Sequence, residues 1–168
     1  MSDASRAKKS GIGYQIEQKM ETSYDQLEQD GTPEAIKTWI QAVLSGDEEA
    51  GSLKSCKQRD LHEWLKSGSV LCKLINQLLA SIGQPPVSFK KKAPNTFAAF
   101  GNIENFNNGC TTYGMKKESL VQSVDLWEGR KGPFVNVINT LHSLGMKANA
   151  NGYEVMYCGQ IERYLSDD

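Results

Sequence analysis

The side chains with the widest chemical repertoire are few and widely separated. The two histidines, His62 and His142, lie 80 residues apart, which leaves little from which to build a general base or a metal centre. His62-Glu63 is how a zinc-protease helix begins, but that chemistry needs a second histidine three residues after the glutamate, and Lys66 stands there. Gly11-Ile12-Gly13 lacks the third glycine and the preceding strand of a dinucleotide fingerprint, and no Gly-Lys-Ser/Thr of a phosphate loop occurs. Cys56, Cys72, Cys110 and Cys158 are spaced 16, 38 and 48 apart, so neither a Cys-x-x-Cys knuckle nor a dense disulfide framework is available. Cys72 and Cys110 fall on apolar helix faces and read as inert reduced thiols. The expectation is a non-enzymatic protein with no catalytic residue, metal or cofactor.

What remains is charge available to a partner. The chain has 168 residues and a net charge of -1, with 39% hydrophobic and 23% charged residues, the composition of one folded domain with short extensions. The charge is uneven: 8 basic and 11 acidic residues fall in 1–60, 10 and 5 in 61–150, and 1 and 4 in 151–168. The mildly basic middle holds three clusters, Lys90-Lys91-Lys92, Lys116-Lys117 and Arg130-Lys131. They suit an acidic protein surface. A pI near 6.1 argues against nucleic acid as partner. No run of about 18 apolar residues exists to span a bilayer, and residues 1–10 lack the apolar core of a signal peptide. These features point to a cytoplasmic protein with no membrane partner. Ser119 and Ser123, near the second basic pair, carry no particular phosphorylation signature.

The elements that must carry these charges read as helices. Residues 1–12 form a polar arm, and 13–30 a lead-in helix with Tyr14, Ile16, Met20, Tyr24 and Leu27 as its apolar residues. Thr32 as cap and Pro33 start a helix whose stripe is Ile36, Trp39, Ile40, Val43 and Leu44, stopped by Gly46. A polar loop spans 47–58. Asp60 and Glu63 form a capping box, and Gly68 breaks the following turn. Ser69 caps a helix over 70–79 that is apolar on several faces and therefore central. Thr96 caps a helix with Phe97, Phe100, Ile103, Phe106 and Cys110 on its buried side. A short turn over 119–124 leads into Asp125-Leu126-Trp127-Glu128-Gly129-Arg130. Gly132-Pro133 then starts a last helix with Phe134, Val137, Ile138, Leu141 and Leu144, stopped by Gly145. Residues 148–152 form a hinge to an acidic tail with a short helix over 161–165. Trp39, Trp64 and Trp127 are expected core anchors. No strand pattern occurs, so the fold class is all-α with four main helices and short connectors.

Several of these segments together resemble the calponin homology (CH) domain of the calponin, transgelin and myophilin group. The resemblance rests on Tyr14, Ile16, Lys19, Met20 and Tyr24-Asp25; on Ile36 with Trp39-Ile40; on the run from Trp64 to Asn76 through Gly68; on Phe100, Ile103, Phe106 and Tyr113-Gly114; and on the run from Asp125 to Arg130. It implies a single CH domain over 31–147 and an actin-cytoskeleton protein, with filamentous actin as partner, in muscle or other contractile cells. Family members usually add a Gly-rich calponin-like repeat; here 21 residues follow Lys147, without one. A signalling adaptor that binds a kinase or scaffold is the alternative. Because actin is acidic, Lys90, Lys91, Lys92, Lys116, Lys117, Arg130 and Lys131 are the candidate contacts. Asp125 and Glu128 are expected to bond backbone groups and fix the turn that Gly129 exits, so that replacing Gly129 harms the fold first.

Overall fold

Gly31 joins the first two helices because it alone at that point can adopt a left-handed backbone, at φ +79. The computed structural model describes residues 11–159. In it α1 spans Ile12–Asp30 and α2 spans Thr32–Val43. Gly31, not Thr32, holds the cap position of α2; Thr32 is its first residue and is buried. Ile12 thus belongs to a helix and not to the arm. The rest of that arm, residues 1–10, and the helix expected over 161–165 lie outside the described residues.

The expected loop over 47–58 contains a turn of helix, α3, Glu48–Gly51. Asp47 caps it, its Oδ1 accepting from the Ala50 N–H at 3.0 Å. Next comes α4, Gln58–Leu65, which starts too early for Asp60 and Glu63 to form a capping box; Asp60 sits inside its first turn. Gly68, at φ +80, occupies the cap position of α5, Ser69–Ser81. Ser69 is not the cap: its hydroxyl donates to Glu49 Oε1 at 2.7 Å.

Helix α5 is buried on most of its circumference, with Val70, Leu71, Cys72, Leu74, Ile75 and Leu78 fully enclosed, and packs most extensively on α6, Thr96–Tyr113. Asn95, not Thr96, caps α6 through its Oδ1 to the Ala98 N–H at 2.9 Å. Phe97 is 85% exposed, against the expectation that it joins the buried stripe. Three-residue steps drift by about 60° each, so Phe97 and Phe106 point to opposite sides of the helix. A 3₁₀ turn at Lys117–Ser119 and α7, Ser123–Glu128, lead to α8, Lys131–Ala150.

Helix α8 does not stop at Gly145 but runs on through 148–150, where a hinge is expected. A Cβ at Gly145 would lie 2.5 Å from the Tyr157 ring. The glycine is there for close approach. The chain then folds back: Asn149 pairs both its amide groups with the Tyr157 backbone at 2.8 and 2.9 Å, and Trp39 Nε1 donates to the Val155 carbonyl at 3.1 Å. The described part of the tail up to Tyr157 is therefore strapped into the core.

The result is an all-α arrangement in which α2, α5, α6 and α8 are the four main helices and α1 lies along α8. No strand occurs among the described residues. No helix among them is long and apolar enough to cross a membrane.

Candidate partner-binding surface

Lys90, Lys91 and Lys92 stand exposed on the connector between α5 and α6. One buried side chain presents this connector. Asn102 Oδ1 accepts from the Lys90 N–H at 2.8 Å, and its Nδ2 donates to the carbonyls of Lys90 and Ser67, each at 2.9 Å. Beside the lysines a cleft of about 230 Å³ is lined by Phe89, Phe97, Ala98 and Asn105. From Trp64 to Ile103 the sequence contains five lysines and no acidic residue, so nothing on this stretch of chain offsets the charge.

Lys116 and Lys117 follow the other end of α6, beyond the left-handed cap at Gly114, φ +111. Asn102 holds Lys90 a third of the way along α6, and the stretch from Asn102 to the Gly114 cap, at about 1.5 Å per residue, puts about 18 Å between Lys90 and the second group. They are two patches and not a stripe. The fold adds a third cation: the Lys147 ammonium lies 3.2 Å from where a Gly114 Cβ would stand. Its distance in sequence hides it from inspection of the linear chain. Both groups are free of ion pairs among the described residues.

Arg130 and Lys131 are placed differently. Arg130 pairs with Glu17 and Glu128, each at 3.5 Å, and Lys131 with Asp25. Asp25 beside it pushes the Lys131 ammonium above its ordinary value. These cations tie α1 to the start of α8 and are engaged within the molecule. Asp125 and Glu128 do not bond backbone groups either. Asp125 Oδ2 accepts from Asn136 Nδ2 at 3.3 Å, while Glu128 meets Arg130. The turn is held from α4: His62 Nε2 donates to the Trp127 carbonyl at 2.9 Å and Gln58 Nε2 to the Gly129 carbonyl at 2.8 Å. Gly129 is left-handed, φ +67, and a Cβ there would lie 2.4 Å from the His62 ring.

Trp39 and Trp64 are buried, whereas Trp127 is half-buried with Lys66 Nζ 5.6 Å from its ring centre. Its core-anchor role is correspondingly reduced. Trp127→Ala is expected to cost about 1–2 kcal/mol, below the 3–5 typical of an enclosed tryptophan. A thermal melt checks this, the expected fall being roughly 2–8 °C.

The sequence model of the Calponin homology (CH) domain matches residues 31–150. This chain belongs to the CH-domain family. Within it the chain groups with calponin, transgelin and myophilin. It is 34% identical over 139 residues to "Myophilin" of Echinococcus granulosus, covering 81% of this chain and 63% of that protein. It is 35% identical over 107 residues to "Muscle-specific protein 20" of Drosophila melanogaster, covering 64% of this chain and 51% of that protein. The chain thus spans about half to three fifths of the relatives it matches.

What inspection of the sequence misses in this CH domain is a set of asparagines. Asn76, Asn102, Asn107 and Asn149 each close both amide groups on a connector's backbone, at Val87, Lys90, Val121 and Tyr157. A side-chain amide offers the same donor and acceptor pair as a peptide, and these connectors have no ladder of their own. The only available signal was polarity at positions one helical turn from core residues, such as Asn102 beside Phe106.

His142, Cys72 and Cys110 are enclosed in the core, whereas Cys56 is half-buried and Cys158 exposed. His142 is buried with Nδ1 2.7 Å from the Tyr157 hydroxyl. Burial pushes the Cys72 thiol up to about 12 and raises Cys110 further. No group of three or more His, Cys, Asp or Glu fit to hold a metal occurs among the described residues. A buried-edge network joins Lys73 Nζ to Asp47 at 3.0 Å and Glu49 at 2.9 Å. Burial raises the Asp47 carboxyl, but the Ala50 N–H and Lys73 outweigh it and hold the group below the usual carboxylate range. A folded value below the unfolded one of about 3.9 means that Asp47 stabilises fully above that pH and less as pH falls through the folded value. The melting-temperature gap between wild type and Asp47→Asn is therefore expected to stay constant from pH 7 to 5 and to shrink toward pH 3. A gap unchanged at pH 3 contradicts it.

Proposed function

We propose that this chain is an actin-associated protein of the contractile cytoskeleton, which binds or organises filaments through its single CH domain. The observation that carries the reading is the pair of open lysine groups, Lys90–Lys92 and Lys116–Lys117 with Lys147, at the two ends of α6. Actin filaments are acidic, and rim cations of this kind raise association rate and set salt dependence. Membership of the CH family supports the filament as partner, and the name of the fly relative supports muscle as the setting.

High-speed co-sedimentation with filamentous actin tests it, at low and at physiological ionic strength. Pelleting is expected to weaken with salt. The double variant Lys116→Glu/Lys117→Glu is expected to bind about tenfold more weakly, ~1.4 kcal/mol, with an unchanged melting temperature. An unchanged pelleted fraction removes that patch from the contact.

The adaptor reading has one observation in its favour, the exposed Phe97 beside an apolar cleft. An isolated apolar anchor rimmed by cations suits a protein partner's acidic segment. Absence of pelleting at both salts, with a folded helical spectrum, moves the weight to it.

A further inference from the structure

We propose that the cleft beside Phe97 is a docking site for a short acidic segment of another protein, one that seats a large apolar side chain between Phe89 and Phe97 and sets carboxylates against Lys90, Lys91 and Lys92. This deepens the adaptor reading above and rests on it, and does not depend on the filament.

Single exposed apolar residues are ordinary on a protein surface, so the 85% exposure of Phe97 carries nothing by itself. Its neighbour one helical turn on adds the second observation. Gly101 lies inside α6, where glycine weakens a helix, yet a Cβ there would meet nothing within 4 Å. Gly109 of the same helix shows the usual reason for such a residue, since its Cβ would lie 2.9 Å from Ile75 Cγ1. Packing among the described residues gives Gly101 no such reason. Phe97 and Gly101, at i and i+4, share one face of α6, and with Phe89 and Ala98 they line the cleft. The glycine keeps that cleft open.

Size and charge decide what it takes. Small-molecule sites run to ~300–1,000 Å³, whereas this cleft is about 230 Å³ and fits a side chain better than a metabolite. Its connector wall is fixed: Asn105 Nδ2 donates to the Ser88 carbonyl at 2.8 Å, and Asn102 clasps both backbone groups of Lys90. A wall already in place costs a partner no ordering of this loop. The three lysines on it are exposed, and no acidic residue between Trp64 and Ile103 offsets them. Glu104, exposed just beyond Gly101, marks the opposite end, so the segment lies with its carboxylates toward the connector. Such a rim favours an acidic partner in both association rate and register.

A lipid surface is the other partner that three lysines and an exposed phenylalanine suggest. It requires a broad apolar face that enters the acyl boundary. Here Ala98 is buried and Phe89 half-buried, which leaves the apolar surface recessed between the connector and α6, with Phe97 alone projecting.

The test selects binders to the full chain from a phage-displayed library of random dodecapeptides. Enriched sequences are expected to carry several Asp or Glu around one Leu, Phe or Trp. The most enriched, made as a fluorescent peptide, is expected to bind about tenfold more weakly to Gly101→Gln, to Phe97→Ala and to Lys90→Glu/Lys92→Glu, and equally well to Lys116→Glu/Lys117→Glu. Gly101→Gln fills the cleft where there is room for a side chain and is expected to keep or raise the melting temperature, so binding lost there is not folding lost. No enrichment of acidic peptides overturns the proposal and the acidic partner of the adaptor reading with it. Peptides lost to the Lys116/Lys117 variant but not to Gly101→Gln overturn the cleft alone and leave an acidic partner for the other patch. Sedimentation with phosphatidylserine vesicles that Phe97→Ala abolishes and Gly101→Gln leaves unchanged overturns the peptide in favour of a lipid surface.

Discussion

Trp39→Ala is expected to destabilise the domain by about 3–5 kcal/mol and to lower the melting temperature by roughly 6–20 °C. Trp39 is 2% exposed and its ring packs edge-on against Tyr157 at a centroid distance of 5.5 Å. Its Nε1 also donates to the Val155 carbonyl at 3.1 Å. The substitution therefore opens a large cavity beside α2 and unties the segment that folds back after α8. Trp39→Phe, which refills part of the volume but has no N–H, should recover most of the loss. Hydrogen exchange should show residues 153–157 released in both variants, because both lose the bond to Val155. A fall of under 2 °C for the alanine variant would show that the tail, and not the tryptophan, fills this part of the core.

Asn102→Ala is expected to cost about 2–4 kcal/mol, since it removes three hydrogen bonds and strands backbone groups in a site that is 2% exposed. The melting temperature should fall by roughly 4–16 °C. Asn102→Asp should not rescue it, because a carboxylate cannot donate to the Ser67 and Lys90 carbonyls and instead faces them as a like partial charge. Exchange protection should fall over residues 87–92 while α2 keeps its own. If the Lys90 connector contributes to filament binding, pelleting weakens as well, with the lysines themselves unchanged. Uniform loss of protection across the domain would mean that Asn102 supports the core at large and does not specifically position the basic connector.

The motif turn shows where inspection of the sequence succeeds and where it stops. The run Asp125 to Arg130 marks a tight exit through Gly129, and the backbone there is left-handed. The agents that hold it are His62 and Gln58, more than sixty residues earlier. No local pattern ties α4 to this turn. The same holds for Arg130 and Lys131, which look like free cations until α1 lies down along α8 and brings Glu17 and Asp25 to them. The asparagine clasps, reaching 8 to 14 residues along the chain, are equally silent in a reading built on hydrophobic period.

The sequence by itself determined the helical class, the main helices and the central place of α5. Those properties follow from interactions within about four residues: the 3.6-residue period, the conformational freedom of glycine and the missing N–H of proline. Only the tertiary structure decided which side of α6 faces the core, that Gly145 admits the Tyr157 ring and does not end α8, that Trp127 is half-buried, and which cations stay open. Each of these depends on what a distant element places opposite the residue, and helix propensity carries no information about that neighbour.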